Sequence, residues 1–155
     1  MKKYICVIAI SLATLISCST SKTYFNTHIR NMIEQDGVPL SKLQYYIDRD
    51  VVLTREIVKG EAKVTTGVIR FEKGKYQNII TLKKNTPGVC INNTPGKLLI
   101  SFEVGDGKVI TFGKGKFANQ GEAYKILISE WVGSNGLIMY EGKQYMVTLE
   151  MMQLL

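Results

Sequence analysis

Leu98-Leu99-Ile100-Ser101-Phe102-Glu103-Val104 sets Leu98, Ile100, Phe102 and Val104 against Ser101 and Glu103. The pattern returns where Tyr145, Val147, Leu149 and Met151 alternate against Thr148 and Glu150. A repeat of two puts successive side chains on opposite faces of an extended strand, so each stretch reads as a strand with one face in a core and one in water. Outward from these two, the same period organises the chain from Leu43 onward. Strands are expected near Leu43–Ile47, Val51–Val58, Ala62–Glu72, Tyr76–Lys83, Val89–Asn92, Lys97–Val104, Lys108–Phe112, Glu122–Trp131, Leu137–Tyr140 and Gln144–Met151. Between them stand Lys73-Gly74-Lys75, Gly105-Asp106-Gly107, Ser134-Asn135-Gly136 and Glu141-Gly142-Lys143, the composition of hairpin turns. Short strands joined by glycine-bearing turns specify an all-β fold, a single antiparallel β-sandwich or small barrel.

Two features frame this core. Asn26 is placed to cap a brief helix with Ile29, Met32 and Ile33 on one face, and Asp36-Gly37 and Pro39 end it. Asn85-Thr86-Pro87-Gly88 recurs as Asn93-Thr94-Pro95-Gly96. Proline followed by glycine suits the two central positions of a type II turn, so two such turns are expected to bracket a very short strand around Cys90, at a corner where the chain changes sheets.

The first eighteen residues follow a different logic. Lys2 and Lys3 precede an apolar run from Tyr4 through Ile16. That length suits the about 7–15 residues of an export signal and falls short of the ~20 needed to span a bilayer. The run ends in Leu15-Ile16-Ser17-Cys18, which resembles the lipobox of bacterial lipoproteins: an aliphatic residue, a tolerant position, a small residue, then cysteine. The resemblance implies cleavage between Ser17 and Cys18. It also implies a covalent diacylglycerol and an N-acyl chain such as palmitate on Cys18, and a membrane partner held through that lipid. An ordinary signal cut near Ser19 would use the small residues Ser17 and Ser19, and an uncleaved anchor would be short. Ser19 after the cysteine, in place of aspartate, resembles the sorting pattern of lipoproteins at the outer membrane facing the periplasm, with the inner membrane as the alternative.

The chain divides accordingly into a signal at 1–17, a tether at 18–26 and a β-rich domain with a short opening helix at 27–155. Loss of residues 1–17 removes Lys2 and Lys3, so the net charge of +7 falls to +5, and 138 of the 155 residues remain. That is enough for one domain with a real core. Cys6 leaves with the signal and the lipid occupies the Cys18 sulfur, so Cys90 has no partner for an intramolecular disulfide in an oxidising compartment. The tether spans at most ~28 Å fully extended.

Chemistry-bearing residues are few. His28 is the only histidine and sits ten residues from Cys18; a histidine triad, a cysteine–histidine pair or a histidine zinc site would need it in a cleft, whereas it is expected on the exposed side of the opening helix. Cys90 lies in apolar Gly88-Val89-Cys90-Ile91 and reads as a buried small hydrophobe. Asp48-Arg49-Asp50 reads as a solvated turn, lacking the glycine and distal glutamate of a calcium hand. Gly113-Lys114-Gly115-Lys116 departs from phosphate-loop spacing and reads as a flexible basic loop. No catalytic residue, cofactor or metal is expected, and export argues against nucleic acid. Lysines at other turns serve solubility or face anionic headgroups.

Leu43-Gln44-Tyr45-Tyr46-Ile47 followed by Val51-Val52-Leu53-Thr54-Arg55-Glu56 resembles the first strands of small β-sandwich lipoproteins attached to envelope machines, such as accessory lipoproteins of type VI secretion systems. The resemblance implies a non-enzymatic interaction or assembly module with envelope proteins as partners, its candidate contact residues being Tyr45, Tyr46 and Trp131. Two alternatives stand beside it. A barrel holding a small apolar ligand or lipid would have a deep apolar cavity. A cell-wall hydrolase would have a cleft with two carboxylates.

Overall fold

The computed structural model describes residues 21–58, 61, 66–115, 121–148 and 154–155. The lipobox, Cys18, the start of the strand expected from Ala62, Lys116 and the end of the strand expected through Met151 lie outside the described residues. The fold is all-β, with two antiparallel sheets, one a curled half-barrel, and, among the described residues, a single α-helix.

The five-stranded sheet runs in the order β1 (Gln44–Tyr46), β5 (Pro87–Thr94), β6 (Lys97–Ser101), β7 (Val109–Gly113) and β8 (Lys125–Ile126). The six-stranded sheet runs β3 (Val68–Glu72), β4 (Lys75–Leu82), β2 (Val51–Ile57), β11 (Lys143–Thr148), β10 (Asn135–Tyr140) and β9 (Glu130–Val132). Their facing sides meet in one core. Leu98, Ile100, Ile110 and Phe112 come from one sheet, and Leu53, Ile80, Tyr140, Tyr145 and Val147 from the other. Alternation in β6 and β11 supplies this core, with Leu98, Ile100, Tyr145 and Val147 buried as the period requires.

Val104 breaks the expected pattern. Strand β6 ends at Ser101, whose Oγ donates to Glu103 O (2.8 Å), Phe102 is still buried, and Val104 is 97% exposed. The local hydrogen bond and the left-handed Gly105 (φ +128°) turn the chain out of the sheet before Val104 can face inward.

Three tight turns follow the sequence reading. Lys73-Gly74 and Glu141-Gly142 each have two positive φ values between paired flanking residues, the geometry of type I′ hairpins. Pro95-Gly96, with Gly96 at φ +75°, makes the β5–β6 turn. The turn expected at Ser134-Asn135-Gly136 lies earlier, at Gly133-Ser134, because Gly136 is needed inside β10. A Cβ there would sit 2.5 Å from Ile128 Cδ1.

The first Asn-Thr-Pro-Gly copy is a corner of a different kind. The chain passes from β4 to β5, and so between sheets, through a turn in which Thr86 N–H donates to Lys83 O (3.0 Å). Asn85 there takes φ +64°. Pro87 and Gly88 already belong to β5, which is eight residues long and bulges between Cys90 and Asn92. Proline is tolerated because it is the first residue of the strand. The strand expected over Glu122–Trp131 is also two strands. β8 pairs with β7, and β9 pairs with β10 in the other sheet. Between them Leu127 N–H donates to Thr111 O and Ser129 N–H to Leu137 O (both 2.9 Å), handing the chain across.

The helix α1 (Thr27–Gln35) starts where Asn26 Oδ1 accepts from Ile29 N–H (2.9 Å), and Gly37 at φ +69° follows its end. Ile29 and Ile33 pack on the core, but Met32 is 48% exposed, and the buried residue of the helix is Arg30. Its Nη1 donates to Thr94 O (3.0 Å) and Lys97 O (3.3 Å), and Nε to Glu34 (2.9 Å). The guanidinium fastens the helix to the β5–β6 turn, which rotates Met32 outward.

Candidate interaction surface

The three aromatic residues expected to form a contact surface are not together. Tyr45 is a core residue, 1% exposed, with its hydroxyl donating to Leu40 O (3.1 Å) and its ring edge-on to Phe25. Burial pushes that phenol well above its ordinary range. Alternation in β1 therefore directs Tyr45 inward and leaves Tyr46 half-buried at the edge of the five-stranded sheet, under the Lys22 ammonium (3.7 Å from the ring centre). Trp131 lies on β9, the edge of the other sheet, and is 60% exposed.

The register of the six-stranded sheet identifies a surface that the sequence reading missed. Val68 pairs with Ile79, Ile79 with Thr54, Thr54 with Met146, Met146 with Leu137 and Leu137 with Glu130. One row therefore crosses all six strands on the side away from the core, apolar at Val68, Ile79, Met146 and Leu137. Val52, Met139 and Val132 lie on the same side in adjoining rows, each exposed by about half. Around them stand Arg70, Gln77, Glu56 and Thr81, with Glu56 paired to Lys75 (2.8 Å). A strip that is apolar except at Thr54 and Glu130, with polar side chains beside it, is the composition of a contact surface. Each of these residues reads as an ordinary strand position in sequence, and only the pairing register joins them.

The other singled-out residues have structural places. His28 is exposed on α1. Cys90 is 3% exposed with Sγ 3.2 Å from Asn92 O, and burial pushes its thiol up. Asp48 is buried beside Arg49 (3.2 Å), while Asp50 accepts from Lys83 Nζ and Lys84 N–H (both 2.8 Å), which lower its carboxyl below the usual range. The segment is thus a braced bend in which only one carboxylate is solvated. Lys114 borders a polar cleft of about 420 Å³ between α1 and the Pro95-Gly96 turn.

A carboxylate pair unremarked in the sequence stands at Glu103 and Glu141. Lys108 Nζ lies between them (3.9 and 3.7 Å), Tyr140 donates to Glu103, and Thr66 Oγ1 donates to Glu141 (2.8 Å). Glu141 N–H also donates to Gly107 O (2.8 Å). These bonds tie the β6–β7 loop to the β10–β11 turn, and they commit both carboxylates to protein partners. Among the described residues, no group of three or more His, Cys, Asp or Glu is placed to hold a metal, and no helix is long and apolar enough to cross a membrane. The chain matches no protein-family model, no curated protein and no solved structure.

Proposed function

We propose that this chain is a lipoprotein, anchored through Cys18 at the periplasmic face of the outer membrane, whose β-domain is a non-enzymatic interaction module of an envelope complex such as a secretion system. The observation that carries the interaction reading is the apolar row across the outer face of the six-stranded sheet. A closed core needs no such row, and water is a poor partner for it. The partner chemistry that fits is an apolar strand or sheet face of another envelope protein. The anchoring reading is carried by Leu15-Ile16-Ser17-Cys18 behind an apolar run of signal length. The filled core, lined from both sheets by large side chains, favours a module over a ligand-holding barrel.

Photo-crosslinking residues placed at Val68 and Met139 in the full chain test this in living cells. Expected is a crosslink to one exported envelope protein, lost in Leu137→Glu with the thermal midpoint unchanged. A crosslink obtained equally from exposed Ile91 on the other sheet, or none at all, refutes the surface. Cys18→Ser should move the protein from membrane to soluble fraction. A Cys18→Ser protein that stays membrane-bound through a carbonate wash refutes the anchor.

A further inference from the structure

The segment that joins the domain to Cys18 is not a free tether over its whole length. Phe25 is buried, its N–H donating to Leu154 O (2.8 Å), and its ring packs edge-on to Tyr45 and Tyr124. Lys22 is held twice, by Asn85 Oδ1 (2.9 Å) and by the face of Tyr46 (3.7 Å to the ring centre). The arm from Cys18 to the first held residue is therefore four residues long and reaches at most ~14 Å.

Against this held segment lies a groove of about 360 Å³. Ser21 to Thr23 form one wall, and Ile29 and Ile33 of α1, Leu43, Tyr46 and Leu155 complete the groove together with Phe25, Tyr45 and the polar Gln44. The lining is mainly hydrocarbon, and Ile29, Ile33 and Leu43 pack on the core yet keep part of their surface toward the groove. Its volume is within the range of small-ligand sites. A long hydrocarbon chain is the ligand chemistry that such a lining accepts, since it has no polar group to leave unpaired.

We infer that this groove takes one acyl chain of the lipid borne by Cys18. The inference rests on the lipoprotein reading and on where the chain outside the described residues joins the domain. Cys18 lies three residues before Ser21, so its acyl groups start within ~11 Å of the groove wall. A ligand on so short a link binds intramolecularly at millimolar or higher effective concentration, and even weak apolar affinity fills the site. With one chain docked, the remaining two stay in the bilayer, and two chains are what stable anchoring requires. The docked chain would hold the α1 and β1 end of the domain against the membrane and leave the six-stranded sheet's outer face available.

The experiment uses the full chain, expressed in cells fed a fatty acid carrying a terminal diazirine, irradiated in membranes and mapped by mass spectrometry. Expected is an acyl mass on the Cys18 peptide and a crosslink from it to α1 or to Leu43–Tyr46, at least tenfold above that to the β3–β4 hairpin. Ile33→Trp, which enlarges a side chain that lines the groove, should lower that crosslink more than fivefold. Ile29→Trp serves as a second filling variant should Ile33→Trp shift the thermal midpoint. An acylated Cys18 with crosslinks only to bilayer lipid, or to a differently isotope-labelled second copy, overturns the groove inference while the lipoprotein reading stands. A Cys18 peptide without acyl mass overturns both.

Discussion

Gly88→Ala isolates what glycine does in the first Asn-Thr-Pro-Gly copy. In sequence that glycine suits the left-handed position of a turn. In the fold it is an interior residue of β5 and is absent from the positive-φ glycines. What it supplies is space. A Cβ would lie 2.5 Å from both Cδ1 and Cε1 of Phe102 and 2.7 Å from Ile100 Cγ2. Ile100 is fully buried, and Phe102 is 8% exposed with its ring braced against Phe112, so neither neighbour can simply swing into solvent. Overpacking of this sort costs about 1–3 kcal/mol. At ~2 kcal/mol, a domain of this size should lose roughly 6–10 °C from its thermal midpoint.

Urea unfolding of the detergent-solubilised full chain measures the cost, and a double-mutant cycle with Phe102→Ala assigns it. Removing the ring should take away at least half of the Gly88→Ala penalty, since the two sites share one contact. Gly96→Ala is the control. Its nearest neighbour is the flexible end of Lys114 (3.8 Å), and its cost comes from the left-handed backbone (φ +75°), about 1–2 kcal/mol with no coupling to Phe102. Strictly additive costs for Gly88→Ala and Phe102→Ala would refute the packing argument and restore the turn.

Cys90 should resist a bulky maleimide in the native protein and react within minutes once unfolded, because burial both blocks access and raises the thiol's pKa; rapid native labelling would reopen thiol chemistry. Tyr45, Tyr140 and Tyr145 are all raised above the ordinary phenol value of 10.0 in the fold, chiefly by burial. The unfolded chain then releases those protons first, so stability is full below pH ~10 and falls as pH rises beyond it. Urea midpoints measured from pH 8 to 11 should decline only above about pH 10, and a flat profile would contradict the burial of these phenols. Arg30→Met should destabilise by roughly 1–3 kcal/mol, by leaving Thr94 O and Lys97 O without their buried donor, and should loosen amide-exchange protection in α1 before any other element; uniform loss would show that the guanidinium does not hold the helix.

The fold class was legible because alternation and turn composition are local. Leu98-Ile100 and Tyr145-Val147 needed no partner to declare their faces. The failures came where tertiary packing competes with local signals. The Glu122–Trp131 stretch carries no glycine or proline to mark its break, because the crossing is made by Ile128 settling over Gly136 and by Ser129 bonding Leu137 O (2.7 Å). The helix face misread as Ile29, Met32 and Ile33 was turned by Arg30, whose guanidinium finds two carbonyls more than sixty residues away. Neither a distant carbonyl nor the absence of a Cβ is visible in a hydropathy pattern.

The candidate surface was harder to read, for a reason that follows from sheets themselves. Tyr45 and Tyr46 drew attention as adjacent aromatics, but adjacency in a strand guarantees opposite faces, and one of the two had to be buried. A surface that crosses a sheet takes one residue from each strand, so Val68, Ile79, Met146 and Leu137 are neighbours only after the register is fixed. A one-residue slip of β11 against β2 would send Met146 to the core and Val147 to solvent. The buried Val147 and Tyr145 forbid that slip, and Tyr145 locks it further by donating to Asn78 Oδ1 (2.7 Å) across the sheet. The core pattern thus determines the outer row as well: what the sequence spends on specifying the inside face also decides which apolar side chains the six-stranded sheet holds out to a partner.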